Sequence, residues 1–291
     1  MNIGRIKKVD KVLNMSNEDY HAHDSLSSSQ LKLAYKNIEL YKSRVIDKQG
    51  GFTSSPSMQL GTLFHELILE PENFNPSIYP GAKVDKRTVI YKEKIKNGID
   101  PANIISEKDF DNLLTMKYNL VKHGDCPDFE QLTNEASFFY SWNDFNLRIR
   151  PDSADLNRHI IYDIKTTSSP LDSKSFFYQI EKYHYDLSAA MYMHGMKAHI
   201  SMPWAFCFVV CQSVAPYSTA IYWVGESLYY QGFQKYRQAM KNIYKAKKSK
   251  NYIFQPKAEV LETFRPVEKF ESKKYYKLVT NNNSVKKEIL L

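Results

Sequence analysis

The sequence predicts an α/β or α+β fold in which a mixed central β-sheet is flanked by helices. Three features indicate this. Apolar residues recur at helical spacing early in the chain, short runs in the middle are rich in aromatic and β-branched residues, and helical and strand-like segments alternate after them. The resulting order of helices, three strands, a helix, two strands and a helix is typical of these fold classes.

Three helices are predicted before the strands. Residues 28–46 place apolar side chains near one face, behind a run of serines that can cap the helix start. A second helix is predicted from about Ser57 to Glu70. A third is predicted from Ser106 to Lys122, because the acidic residues that follow Ser106 favour a helix N-terminus.

Five strands are predicted in the second half of the chain. The segments ASFFYSW, FNLRIRPD and HIIYDIKTT are separated by Asn and Asp turn signals, which predicts three consecutive antiparallel strands in the middle of one sheet. Helical periodicity resumes at about residues 172–199. PWAFCFVVCQ and YSTAIYWV predict two more strands, and a long helix is predicted from Glu226 to about Lys248.

Composition narrows the class of protein. The chain has 291 residues, of which 43% are hydrophobic, so it can bury a substantial core. We expect a single domain over residues 1–291, with an N-terminal arm to about residue 20 and a C-terminal extension from about residue 250. The formal charge of +8 favours polyanionic partners.

The three cysteines, Cys126, Cys207 and Cys211, predict neither a disulfide framework nor a CxxC metal site. Cys207 and Cys211 lie in the apolar run WAFCFVVC, and we expect them to be buried thiols in a reducing compartment. The sequence has no stretch of signal-peptide type and no apolar segment of membrane-spanning length. We therefore expect a cytoplasmic protein with no membrane partner.

The stretch RPDSADLNRHIIYDIKTT holds the residues most indicative of chemistry. Side chains alternate faces along a strand, so the carboxylate of Asp163 and the ammonium of Lys165 are expected on the same side. Asp152 closes the preceding strand, and an antiparallel return of the chain would bring it close to Asp163. Two carboxylates placed in this way repel each other unless a cation lies between them.

A hard divalent cation bound by oxygen ligands removes this conflict. Mg²⁺ prefers one or two carboxylates together with substrate phosphate, Mn²⁺ is expected to substitute for it, and the backbone carbonyl of Ile164 is a candidate further ligand. Lys165 beside the ion could orient or deprotonate a water, and its pKa can fall in a site that already holds a cation. These residues predict a metal-dependent phosphodiesterase site. The alternative is a chance D-x-K pattern on a solvated strand with a surface ion pair.

The combination of PD and DIK, with MQLGTLFHELILEP upstream and KYHYDLSAAMY downstream, resembles the PD-(D/E)xK nuclease superfamily. The similarity is greatest to the exonuclease VIII (RecE) type, which is related to the lambda exonuclease and to RecB-like nuclease domains, and it covers roughly residues 20–245. The resemblance implies a restriction-endonuclease-like core. It also implies that Asp152 and Asp163 are acidic metal ligands and that Lys165 is the catalytic lysine.

The same resemblance implies roles for further residues. His65 matches a histidine that reaches the metal from the upstream helix, although the apolar residues around it also allow a core histidine. Glu135 matches a glutamate that faces the catalytic site, or it is an ordinary glutamate at the start of a strand. Tyr192 matches the tyrosine of a Gln-x-x-x-Tyr helix motif and is a candidate DNA contact, although Ser188 stands at the glutamine position.

Other candidate DNA contacts each have an alternative. The serine run SLSSSQL resembles an S-x-S motif at a helix start, where Ser29 would contact DNA at, for example, a terminal 5′ phosphate, or where Ser27 or Ser28 only caps the helix. Thr166 could donate its hydroxyl to the DNA backbone or be a simple strand residue. The lysines of YKAKKSKNY could lie along DNA or form a solvated helix end.

The activity that the resemblance implies is a Mg²⁺-dependent deoxyribonuclease that hydrolyses double-stranded DNA from an end, in the 5′ to 3′ direction, and leaves 5′ phosphates. Relatives of this type form closed rings around DNA and act with a single-strand annealing protein in recombination. A homo-oligomeric ring of three or four copies, a RecT-like partner and a phage or prophage origin are therefore implied. One alternative is an endonuclease or a single-strand-specific repair nuclease of the same fold. Another is a catalytically silent DNA-binding protein, which the intact Asp152, Asp163 and Lys165 disfavour.

Overall fold

The computed structural model describes residues 7–13, 15–50, 55–254, 276–281 and 284–289. The chain divides into two compact units, Met1–Phe254 and Gln255–Leu291. In the second unit, the described residues form an antiparallel pair of strands, Tyr276–Asn281 and Ser284–Ile289. The expected N-terminal arm and C-terminal extension lie partly outside the described residues, and their limits stay a prediction.

The first unit holds nine α-helices and ten strands among its described residues. The helices are α1 (Asn17–Ala22), α2 (Ser28–Lys36), α3 (Ile38–Tyr41), α4 (Pro56–Leu69), α5 (Val89–Lys96), α6 (Glu107–Val121), α7 (Ser173–Tyr183), α8 (Tyr185–His199) and α9 (Glu226–Ser249). The strands are β1 (Lys7–Val12), β2 (Ser77–Tyr79), β3 (Ile104–Ser106), β4 (Thr133–Asn134), β5 (Ser137–Trp142), β6 (Phe145–Ile149), β7 (Ser153–Asp155), β8 (Ile160–Thr167), β9 (Ala205–Gln212) and β10 (Thr219–Trp223). Within the described ranges, no helix has the length and apolar character needed to cross a membrane.

The central sheet has five strands in the order β10-β9-β8-β7-β4. β8 and β9 run parallel, whereas the other neighbouring pairs in this sheet are antiparallel. A second, antiparallel sheet has the order β1-β5-β6, and β2 pairs with β3 in parallel. This mixed sheet, with helices packed on it, confirms the predicted fold class.

Helices cover both faces of β8 and β9, so alternate residues of each strand enter different cores. Phe206 and Phe208 of β9 lie in a core that includes residues of α2, α8 and α9. Cys207, Val209 and Cys211 lie in a second core with residues of α4 and α6. Both thiols are buried, as predicted, and burial raises the pKa of each to about 12.

Two of the predicted helices are each divided at one residue. The helix predicted over 28–46 stops before Asn37, which has an extended backbone and whose side chain accepts the first backbone amides of α3. The helix predicted over 172–199 is divided into α7 and α8 at His184, whose backbone is left-handed, with φ 51° and ψ 48°. Neither residue interrupts the apolar periodicity, so the sequence pattern did not reveal these breaks.

The three strands predicted as one consecutive run do not share one sheet, so this detail of the prediction was wrong. β5 pairs with β1 on one side and with β6 on the other, and β6 ends at Ile149. Pro151 then interrupts the ladder, because proline has no backbone N–H to donate. The chain next forms the short strand β7, which pairs with β8 in the five-stranded sheet.

Candidate active site

The candidate site lies on the edge of β8 beyond the end of β7. β7 pairs with β8 only over residues 160–162, so side chains contact the next part of that edge. The N–H of Ile164 donates to Oδ2 of Asp152 at 2.6 Å. Its carbonyl oxygen lies 2.9 Å from Nε2 of His65 and accepts from Nζ of Lys165 at 3.1 Å. Three predicted site residues thus meet at one backbone position.

The close approach of α4 to β8 brings His65 to this edge. An added Cβ at Gly61 would lie 3.0 Å from Oγ1 of Thr166, so glycine permits the helix and strand to pack closely. Thr166, a predicted DNA contact, is half-buried beside this helix. Nδ1 of His65 lies 3.7 Å from Oδ2 of Asp152, and 29% of the histidine side chain is exposed. His65 is therefore not a core histidine.

Glu135 forms a cluster with His65 and Asp152. Its backbone is left-handed, with φ 48°, and its N–H donates to the carbonyl oxygen of Asp152 at 3.1 Å. One ligand atom from each of the three side chains lies within 4.8 Å of the other two. The backbone bond to Asp152 thus places the Glu135 side chain beside His65 and Asp152.

Asp163 lies outside this cluster and is paired with Lys165. The side chains leave the same face of β8, as their spacing predicts, and Nζ of Lys165 contacts Oδ2 of Asp163. Asp163 is buried. Of the predicted metal ligands, the structure thus brings together His65, Asp152 and the carbonyl of Ile164, whereas Asp163 contacts the lysine.

The charges at this edge are only partly compensated. Burial, followed by the charge of Asp152, raises the pKa of Glu135 to about 8. Burial also raises the pKa of Asp163, with Lys165 acting in the opposite direction. Burial acts to lower the pKa of Lys165, but the charges of Asp163 and Asp152 outweigh it and raise that pKa. Lys165 is therefore an ammonium at neutral pH.

The donor atoms fit a divalent cation. Asp152 and Glu135 offer carboxylate oxygens, Ile164 offers a carbonyl oxygen, and His65 offers an imidazole nitrogen. Mg²⁺ and Mn²⁺ take oxygen ligands, and a single nitrogen ligand is compatible with both. A cation here would also relieve the repulsion that contributes to the raised pKa of Glu135.

The site also includes Lys32 and Tyr185, which the sequence did not predict. Nζ of Lys32 lies 5.3 Å from the centre of the Tyr185 ring, and Nζ of Lys165 lies 5.5 Å from the same point. Burial, and next the charge of Lys165, lower the pKa of Lys32 to about 8. Lys32 is one helical turn beyond Ser29, and that spacing was the available signal. Its role depends on how α2 approaches β8, which no local pattern encodes.

A cleft of about 500 Å³ adjoins the cluster at Glu135. Its lining includes Glu66, Glu70, Glu72 and Arg150. Burial, followed by the charge of Glu70, raises the pKa of Glu66. Acidic residues thus extend beyond the candidate metal ligands, and they add to the attraction of this edge for cations.

The serines at the start of α2 have different environments. Ser27 is the N-cap: its N–H donates to Oε1 of Gln30 at 2.9 Å, and its Oγ accepts from the N–H of Gln30 at 3.5 Å. Ser29 is exposed, and its Oγ lies 2.9 Å from that of Ser27. The capping role belongs to Ser27, and the hydroxyl of Ser29 remains accessible as a candidate DNA contact.

Tyr192 lies on α8 near the acids of the site. Burial raises its pKa well above the ordinary value, the charges of Asp163 and Asp152 contribute to this, and a hydrogen bond with the side chain of Ser28 opposes it. Ser188, one turn earlier, is buried. Its short hydroxyl occupies the position of the glutamine in the Gln-x-x-x-Tyr motif, so the longer amide is missing from this part of the site.

The five-stranded mixed sheet, the Asp-x-Lys sequence on β8 and the adjoining His, Glu and Asp cluster define a nuclease domain of the PD-(D/E)xK superfamily. A family model described as a PDDEXK-like domain of unknown function (DUF3799) matches residues 27–259. The chain belongs to this family. The matched range includes all of the candidate site residues.

A solved structure agrees with this fold. A "putative exonuclease" from Eubacterium rectale is 12% identical to this chain, with a TM-score of 0.62 over 82% of this chain and 89% of its own, and at that identity the similarity shows the fold alone. A phage related exonuclease from Haemophilus somnus 129PT is 13% identical and covers 81% of this chain and 100% of its own, but its TM-score of 0.32 is too low to support any inference. No curated protein matches the chain.

Proposed function

We propose that this protein is a metal-dependent deoxyribonuclease that hydrolyses double-stranded DNA from its ends in the 5′ to 3′ direction. The observation that carries the proposal is a cluster of three potential metal ligands, one of which lies 2.9 Å from a backbone carbonyl oxygen that also accepts from an ammonium at 3.1 Å. The ligands are His65, Glu135 and Asp152, the carbonyl is that of Ile164, and the ammonium is that of Lys165. Hydrolysis of a phosphodiester requires positive charge at the phosphoryl oxygens, which a cation held by these ligands would supply together with the ammonium.

The residues of the site divide the work between them. The ligand cluster would hold Mg²⁺, or Mn²⁺ in its place, and the bound ion would lower the pKa of the attacking water and offset charge on the phosphate. Asp163 holds Lys165 by an ion pair beside the Ile164 carbonyl, and its carboxylate is the further acidic ligand that the resemblance implies. The ammonium of Lys165 orients the water and neutralises a phosphoryl oxygen.

The reaction that these groups support is direct hydrolysis. The water loses one proton to solvent as its oxygen bonds to phosphorus, the bond from phosphorus to the 3′ oxygen breaks, and the 3′ oxygen takes up one proton from solvent. A 5′ phosphate remains on each released nucleotide. Ser29, Thr166 and Tyr192 are the proposed DNA contacts, and the exposed hydroxyl of Ser29 at the start of α2 supports a contact to phosphate.

The first test is whether hydrolysis depends on DNA ends. We expect linear duplex to be hydrolysed with Mg²⁺ or Mn²⁺ and not with EDTA, whereas a covalently closed duplex circle should resist. On a duplex labelled at the 5′ terminus of one strand, the label should appear first as a mononucleotide. Cutting of the circle would instead indicate an endonuclease, and a preference for single strands would indicate a repair nuclease. Absence of hydrolysis with either metal would indicate a catalytically silent DNA-binding protein.

The metal site is tested separately by titration calorimetry with Mn²⁺. Asp152→Asn should weaken Mn²⁺ binding by about 10-fold or more, because it removes a charged ligand and keeps an acceptor for the N–H of Ile164. Asp111→Asn is the matched control, since Asp111 is exposed on α6. Equal Mn²⁺ affinity in the two variants would contradict the assignment of the ligands.

We also propose that the protein assembles as a ring of three or four copies and acts with a RecT-like single-strand annealing protein on phage DNA. The support for this assembly is the sequence resemblance to the RecE type. Light scattering on the full chain measures the number of copies. A monomeric mass over the concentration range of the activity assay would contradict the ring.

A further inference from the structure

The solvent-facing side of α9 lies outside the candidate active site and carries a row of cations. Arg237, Lys241, Lys245 and Lys248 follow one another at intervals of four, four and three residues, which places them on one face of the helix. At 1.5 Å per residue, the row is about 16 Å long. The acidic residue of this helix is Glu226, in its first turn.

These cations are not compensated within the described part of the chain. Lys241, Lys245 and Lys248 are exposed, Arg237 is half-exposed, and none of the four forms an ion pair with a described residue. Lys235, on the opposite side of α9, is buried and paired with two carboxylates. The row therefore directs positive charge to solvent.

Two tyrosine rings lie on the same face of the helix as the cations. Tyr230 is 63% exposed and Tyr244 is 49% exposed. They lie seven residues before and seven residues after Arg237, so all three share a helix face. The core-facing side of the helix is formed by other residues, including Tyr236 and Ile243. We call the exposed surface of Tyr230, Tyr244 and the four cations the α9 face.

A cavity of about 570 Å³ opens between the α9 face and the turn at residues 143–144, which joins β5 to β6. On the helix side it is lined by Arg237, Lys241 and Tyr244, among others. β6 leads from this turn toward Asp152, and the strand alone spans on the order of 13 Å. The cavity is therefore separate from the acidic edge of β8, and its volume is sufficient for a nucleotide.

We propose that the α9 face binds single-stranded DNA, with phosphates on the cations and bases on the tyrosine rings. Positive charge interleaved with exposed aromatic rings is the surface that binds single strands without sequence preference. Duplex DNA would use the cations but keeps its bases stacked with one another, so the rings would have no partner. The origin of this single-stranded DNA rests on the proposed function, because a nuclease that degrades one strand of a duplex from its end leaves the complementary strand single-stranded.

Fluorescence anisotropy of a labelled oligothymidylate, with the full chain in EDTA, tests the charge. The variant Arg237→Gln/Lys241→Gln/Lys245→Gln should bind about 10-fold more weakly or worse, because three phosphate contacts are lost. The slope of log affinity against log salt should become shallower by about 2, at roughly 0.7 per cation for a single strand.

The matched control removes the same charge elsewhere. Lys96→Gln/Lys108→Gln/Lys174→Gln changes three exposed lysines of α5, α6 and α7, and its affinity should stay within about 2-fold of the parent. Tyr244→Ala tests stacking and should weaken single-strand binding about 5-fold or more while duplex binding changes little. Tyr178→Ala, at a 68% exposed ring on α7, is its control.

Equal single-strand affinity in the two triple variants would overturn the proposal. So would a Tyr244→Ala variant that loses duplex and single-strand affinity equally, because the face would then be a duplex site. If the parent chain hydrolyses no DNA but its single-strand binding is lost only in the α9 variants, the proposed nuclease function fails and the binding face is supported.

Discussion

Two clusters of buried charge in this molecule differ in how completely their charges are compensated. Where α7, α8 and α9 meet, Nζ of Lys235 lies 2.7 Å from Oδ2 of Asp186 and 3.2 Å from Oε2 of Glu181. At the candidate active site, by contrast, the pKa values of Glu135 and Lys32 are both displaced toward the neutral form, chiefly by burial. The charges of the cluster at Lys235 are compensated within the protein, whereas those at the candidate active site are compensated only in part.

The difference indicates what each cluster is for. Burial acts to lower the pKa of Lys235, but the hydrogen bond and charge of Asp186 outweigh it, and the pKa is raised. At Gly232 an added Cβ would lie 2.0 Å from the carbonyl oxygen of Asp186, so α9 crosses the start of α8 in direct contact there. The ion pair fixes this crossing. The poor compensation of the groups at the candidate active site agrees with the proposal that a cation and a phosphate bind there from solution.

The largest effect is expected at the active site. Lys165→Ala should lower kcat by about 10²-fold to 10⁴-fold, because it removes the ammonium that orients the water and offsets phosphate charge. The affinity for DNA should change little, because most of it comes from contacts between DNA phosphates and other cationic side chains of the protein. Steady-state hydrolysis of labelled linear duplex, with anisotropy for binding, measures both quantities.

Two companion variants make this prediction decisive. Lys108→Ala changes an exposed lysine of α6 and should keep the activity of the parent. Lys165→Ala/Asp163→Asn removes both charges of the ion pair and should remain folded and inactive. Its inactivity would show that Lys165→Ala loses catalysis because the lysine is absent and not because an unpaired buried carboxylate disturbs the fold. Near-normal turnover by folded Lys165→Ala would end the assignment of this lysine.

The next effect is on stability, at the compensated cluster. Lys235→Met should lower the free energy of unfolding by about 3–5 kcal/mol, because Asp186 is fully buried and would lose its cation. The kcat of the folded protein should be unchanged. Urea denaturation measures the free energy of unfolding, and hydrolysis of duplex DNA measures kcat. Lys235→Met/Asp186→Asn should recover part of the loss, and a loss below about 1 kcal/mol in the single variant would contradict a structural role.

The sequence predicted those features that depend on local rules. Alternation along one strand places Asp163 and Lys165 on the same face, and their ion pair agrees with it. Apolar periodicity predicted a helix from about Ser57 to Glu70, within one residue of Pro56–Leu69 at each end. The convergence of His65 on Ile164 joins positions 99 residues apart. No local pattern encodes that contact, and only the resemblance to a known family suggested it.

The remaining features depend on tertiary packing. Lys32 belongs to the site because α2 approaches β8, and the sequence near it has no Asp or Glu that marks it as functional. Pro151 was visible, but whether the chain resumes the same sheet beyond a proline depends on which strands lie beside it. Asn37 and His184 end helices through backbone conformations that their side chains allow but do not require.

The smallest expected effect is that of Lys32→Met on the free energy of unfolding. Its sign is opposite to that of Lys235→Met, although both variants replace a lysine by methionine. Lys32→Met should raise the free energy of unfolding by about 1 kcal/mol near neutral pH, because it removes a half-buried ammonium that is not in an ion pair with a described carboxylate. The pKa of Lys32 is about 8 in the folded protein, below its usual value of 10.5. Between those two values the unfolded chain binds more protons, so the stability of the parent rises with pH.

The stabilisation by Lys32→Met should accordingly be greatest below pH 8 and disappear as the pH approaches 10.5. Urea denaturation of both proteins on either side of pH 8 checks the sign, and taking the difference between them cancels the titration of other groups. If Lys32→Met instead destabilises the fold as Lys235→Met does, the ammonium of Lys32 already has a compensating partner within the protein. Lys32 would then be a structural cation like Lys235, and it would not belong to the proposed set of groups that bind a cation or a phosphate from solution.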